Sequence, residues 1–108
     1  MINLILLTMK SFNVIWQDFN RQRFEAYDVM PYLMHEYQES KHKPKTFDEF
    51  REFTKKASIY MYYGRCEYEI ILAGWPNQDT QSKWDIHKQL MMNLDIVTEI
   101  LMDNVKVH

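Results

Sequence analysis

The chain of 108 residues has one cysteine, two glycines and three prolines. A lone cysteine excludes an intramolecular disulfide framework and any zinc site built mainly from thiolates, and it fits a reducing compartment. Two glycines leave no material for a phosphate-cradling loop or a dinucleotide fingerprint, and no Gly-x-Ser-x-Gly elbow, Cys-x-x-Cys or His-Glu-x-x-His spacing occurs. Net charge is low as well. With 13 basic and 15 acidic residues the formal charge is -2, too small a bias to argue for direct nucleic-acid binding by counterion release. No apolar run is long enough to span a bilayer.

What the chain does have is apolar and aromatic mass: 46% hydrophobic and 15% aromatic residues, enough for one compact core. Residues 1–108 are expected to form a single domain, with 1–8 as an N-terminal extension, an ordered arm or an extra strand, since Met9-Lys10 offers an alternative start. Cytoplasmic placement follows from the cysteine usage and the missing basic leader.

Three stretches read as strands. Residues 11–18 alternate Phe12, Val14 and Trp16 against Asn13, Ile15 and Gln17, and residues 24–29 repeat that character after a plausible hairpin break at 20–23. The third, residues 64–76, carries the cysteine and both glycines. Alternation places Cys66, Tyr68, Ile70 and Leu72 toward a core and Arg65, Glu67 and Glu69 on the other face.

Three stretches read as helices. Asp28 as N-cap and Pro31 in the first turn open one that runs to about Ser40, with Val29, Leu33 and Tyr37 on one face. After the basic loop 41–45, Thr46 and Glu49 form a capping box, and Phe47, Phe50, Phe53, Ala57, Tyr60 and Met61 keep helical spacing up to Gly64, read as the stop. Beyond a turn-rich loop at 75–79, Ser82 caps a final helix striped by Leu90, Leu94, Val97, Leu101 and Val105. The resulting order is ββααβα: an α+β fold in which a small antiparallel sheet of about three strands packs with three helices.

Candidate sites group around the third strand. Arg65, Glu67 and Glu69 on its outer face and Asp85, Gln89 and Asn93 at four-residue spacing on the last helix form two polar stripes positioned to meet, as an ion network, a metal site or a recognition surface. Tyr62, Tyr63 and Trp75 are candidate exposed anchors of the kind that dominate protein interfaces. Cys66, Glu67, His35 and Asp85 are the residues from which zinc would be held, although a free cysteine ordinarily fills a small buried apolar position. The basic loop 41–45 lacks interleaved aromatics and reads as a solvated loop.

The segments Tyr27-Asp28-Val29-Met30-Pro31-Tyr32, Lys43-Pro44-Lys45-Thr46 and Arg65-Cys66-Glu67-Tyr68-Glu69, with Asp85, Gln89 and Asn93, make residues 9–105 resemble a family of small proteins from phages and mobile elements of Firmicutes. Proteins of that size and origin include inhibitors of CRISPR nucleases, one of them zinc-containing. The resemblance implies an anti-CRISPR protein that acts in the host cytoplasm by stoichiometric binding to a defence nuclease. A small metalloprotein or metal-dependent enzyme centred on Cys66 and the nearby carboxylates is the alternative.

Overall fold

The structure is a computed structural model that describes residues 9–21, 23–74 and 80–107. The described residues contain five α-helices and one short 3-10 turn, and no strand: α1 Phe12–Asn20, the turn Ala26–Asp28, α2 Met30–Glu39, α3 Phe47–Lys56, α4 Ser58–Gly74 and α5 Thr80–Val107. The expected α+β fold is therefore corrected to an all-helical one, and each of the three expected strands fails for an identifiable reason.

Residues 11–18 become a helix because Ser11 is an N-cap. Its backbone is extended (φ -69°, ψ 158°) and its hydroxyl accepts from the Val14 N–H at 3.2 Å. Ile15, Trp16 and Phe19 then share the buried side, a one-turn grouping that two-residue alternation cannot produce. Residues 24–29 close the 3-10 turn rather than pair with a neighbour. Asp28 caps nothing there; it meets the Lys10 ammonium at 3.0 Å, and Lys10 also reaches Asp18 at 3.3 Å, tying α1 to the turn. Pro31 does occupy the first turn of α2, which ends at Glu39 with Ser40 as C-cap.

The expected cap at α3 forms at Thr46, with the returning bond one residue further out than a capping box places it. Thr46 accepts from the Glu49 N–H at 3.2 Å, while the Glu49 carboxylate reaches back to the Lys45 N–H at 2.8 Å. The helix stops earlier than expected, at Lys56, because Ala57 turns extended (φ -64°, ψ 150°) and seats its methyl in the core. A new helix starts at Ser58 and runs through Gly64 to Gly74. Gly64 is thus interior, a placement that costs about 1 kcal/mol relative to alanine and is outweighed by packing. The Ile59, Tyr60, Tyr63, Cys66 and Ile70 side chains face inward at helical spacing.

One contiguous core joins all five helices, with Ile15, Val29, Leu33, Ile59, Leu94, Val97 and Leu101 among its most deeply buried members. The 28-residue α5, about 42 Å long at 1.5 Å per residue, is its axis. It packs against α2, α3, α4 and the 3-10 turn, as expected of a helix with apolar residues on more than one stripe. Among the described residues no helix is long and apolar enough to cross a membrane. Ser82 lies within α5 and not at its start. The loop expected at 75–79 and the arm expected at 1–8 lie outside the described residues.

Candidate functional site

Converting residues 64–76 from strand to helix redistributes every side chain on which a site was to be built. A helix rotates about 100° per residue, so residues that alternate on a strand scatter around its circumference. Tyr68 and Leu72, expected inside, are 62% and 56% exposed, and Met61 is 63% exposed. With Arg65, also exposed, they form one outward stripe along α4, at positions i, i+4, i+7 and i+11. This is the longest row of large exposed apolar side chains on any one described helix.

The polar candidates part company. Glu67 turns toward α5 and accepts from the His87 Nδ1 at 3.0 Å, a hydrogen bond that becomes an ion pair when the imidazole is protonated. His87 entered no sequence-based grouping with Glu67, because nothing in a 20-residue separation signals the contact. Arg65 and Glu69 stand on the outside of α4 without an ion-pair partner among the described residues. The second expected stripe winds inward along α5: Asp85 is exposed, Gln89 half-buried and Asn93 buried, with Gln89 Nε2 donating to Asn93 Oδ1 at 3.4 Å. α4 and α5 meet at Glu67 and His87, outside the second stripe, and among the described residues no ion pair joins the two expected stripes.

The aromatic candidates are mostly structural. Tyr63 is buried between Trp16 and Tyr60, at ring-centroid distances of 5.6 and 5.4 Å. Tyr62 is half-buried and leans on Phe12 at 5.6 Å, and its phenol is held above the usual tyrosine range chiefly by a hydrogen bond with the Cys66 thiol one turn on. Trp75 lies outside the described residues.

The metal candidates do not assemble. His35 is an exposed residue of α2, Cys66 is half-buried on α4, and among the described residues no three His, Cys, Asp or Glu side chains converge as metal ligands.

Within the basic loop, Lys43 is accounted for by local structure. Lys43 folds back over the end of α2, where its ammonium donates to the carbonyls of Tyr37, Gln38 (3.2 Å) and Ser40 (2.8 Å) and lies 4.7 Å from the centre of the Tyr37 ring. It thus satisfies carbonyls that the helix leaves open, at the negative end of the helix dipole.

Beside the exposed stripe runs a groove between α4 and α5, about 370 Å³ in volume. Its walls are Tyr60, Met61 and Gly64 on one side and Leu90, Met91 and Leu94 on the other. Lys55 and Arg65 stand at its rim, and the Glu67–His87 pair closes one part of it. A Cβ built on Gly64 meets nothing within 4 Å, so the glycine leaves this lip bare. Comparison with protein-family models, with curated proteins and with solved structures gave no match, so function rests on this surface and its chemistry.

Proposed function

We propose that the protein works by stoichiometric association, docking through the outer face of α4, and that its partner is a CRISPR nuclease of a bacterial host in whose cytoplasm it acts. One observation carries the docking reading: Met61, Tyr68 and Leu72, each more than half exposed, lie in one row with Arg65, which has no ion-pair partner among the described residues. Leaving three large, half-exposed side chains in water forgoes on the order of 1 kcal/mol apiece relative to full burial, which a partner surface recovers. An arginine and a tyrosine at the centre of such a row are the residue types that most often anchor interfaces.

The nuclease as partner rests on the resemblance to small phage proteins. Titration into purified CRISPR effector complexes tests it. Target cleavage should fall with added protein and cease near one equivalent, while the Leu72→Glu variant should need at least tenfold more. Undiminished cleavage by every effector at tenfold excess would remove the nuclease assignment.

A further inference from the structure

We propose that the outer face of α4 is occupied by the same face of a second copy of this chain, the two helices running antiparallel about a two-fold axis. The inference rests on reading that face as a docking surface: a second copy covers it in the free protein, and the nuclease takes that copy's place. Met61, Arg65, Tyr68 and Leu72 follow one another at intervals of four, three and four residues. Those are the d, a, d and a positions of a heptad seam. The spacing is also the same in both directions along the chain, so an antiparallel pair centred between Cys66 and Glu67 brings unlike residues together at every level. Met61 of one copy then lies opposite Leu72 of the other, and Arg65 lies opposite Tyr68.

The charges fit the same register. Arg65 has no ion-pair partner among the described residues, although Glu69 is one turn away on its own helix. Across the two-fold axis, the guanidinium of each copy meets the tyrosine face of the other, a cation–π arrangement, with the Glu69 carboxylate of that copy alongside. A parallel pair would instead set Arg65 against Arg65. Gly64, next to the seam, presents no side chain and has open space above it, which lets the opposing helix come close. The contact is isologous, the commonest form of homodimer, and the two patches are complementary because they are the same patch. The ends of the seam lie eleven positions apart, about 16 Å or three helical turns, which is small for a specific interface, so the dimer is expected to be reversible.

Sedimentation equilibrium on the full chain, from low to several hundred micromolar, tests the pairing, with circular dichroism verifying that each variant remains helical. The expected result is a monomer–dimer equilibrium that Leu72→Glu and Arg65→Glu each weaken at least tenfold. The double charge exchange Arg65→Glu with Glu69→Arg should recover the ion pair but not the cation–π contact, and so bind at least threefold more tightly than Arg65→Glu alone while staying weaker than the wild type. A wild type that stays monomeric at the highest concentration, a dimer indifferent to Leu72→Glu, or a charge exchange that restores nothing would each overturn the pairing. If the chain is monomeric while Leu72→Glu abolishes binding to a nuclease, the face belongs to that foreign partner; self-pairing falls and the docking reading stands.

Discussion

The Glu36 carboxylate of α2 receives the backbone N–H of Ser58 at the first residue of α4, at 3.0 Å and 3.3 Å from its two oxygens. The break after Ala57 leaves the new helix with open N–H groups, and a carboxylate from another element is placed where an adjacent serine or aspartate would ordinarily serve. Glu36→Ala is therefore expected to cost about 1–2 kcal/mol in denaturant unfolding, while Glu36→Gln should retain part of the stabilisation. Equal stability of wild type and Glu36→Ala would show that the long-range cap carries no weight.

Tyr60 and Tyr63 are buried with hydroxyl groups that have no hydrogen-bond partner among the described residues. Burial raises the pKa of both phenols well above the ordinary tyrosine value, with neighbouring Asp95 adding to the effect at Tyr60 and Tyr60 itself at Tyr63. Above about pH 10 the unfolded chain releases these protons while the native state keeps them, so stability is intact below that pH and falls as pH rises through it. Tyr60→Phe and Tyr63→Phe should each flatten this alkaline decline, measured as unfolding free energy against pH. At neutral pH each should be neutral or stabilising by about 1 kcal/mol, because an unsatisfied buried hydroxyl is removed.

Gly64 sits inside α4 with nothing within 4 Å of a Cβ position. Gly64→Ala should stabilise the monomer by about 0.5–1 kcal/mol in thermal or denaturant unfolding at low protein concentration. Were residues 64–76 a strand preceded by a glycine helix stop, the same substitution would destabilise instead.

Lys43 is held against the last carbonyls of α2 and over the Tyr37 ring. Lys43→Met is expected to lower stability by about 1 kcal/mol, an effect that high salt weakens but does not erase, as thermal unfolding in low and high salt would show. Unchanged stability would make Lys43 an ordinary solvated lysine.

The helices most legible in the sequence were those with a local start signal and an unbroken 3.6-residue stripe. Pro31 with Val29 and Leu33 marked α2, Thr46 with Glu49 marked α3, and Leu90 through Leu101 marked α5. The expected strands came from short stretches rich in aromatic and β-branched residues, where alternation and helical spacing both match. In residues 11–18, Ser11 as N-cap was the overlooked discriminator. In residues 64–76, Gly64 was given the role of a stop, and the true interruption, at Ala57, has no glycine or proline to announce it. It depends on Glu36, 22 positions before Ser58, and on burial of the Ala57 methyl.

That one misplaced boundary also displaced the site. Arg65, Glu67 and Glu69 share a face only on a strand; on α4, Glu67 turns to His87 while Arg65 and Glu69 remain outside. Tyr68 and Leu72 moved from the supposed core to the surface. The four-three-four spacing of Met61, Arg65, Tyr68 and Leu72 was present in the sequence throughout, and becomes meaningful once the helix is known to run past Gly64.

Disulfide trapping across the α4 face tests the central claim most directly. In a Cys66→Ala background, chains carrying Met61→Cys are mixed with chains carrying Leu72→Cys and oxidised gently. Antiparallel pairing predicts that the mixed species, Met61→Cys joined to Leu72→Cys, dominates over either homodimer and disappears when Arg65→Glu is added to both chains. Mixed and same-site disulfides in random proportion, or no covalent dimer at concentrations well above the dissociation constant, would contradict the account.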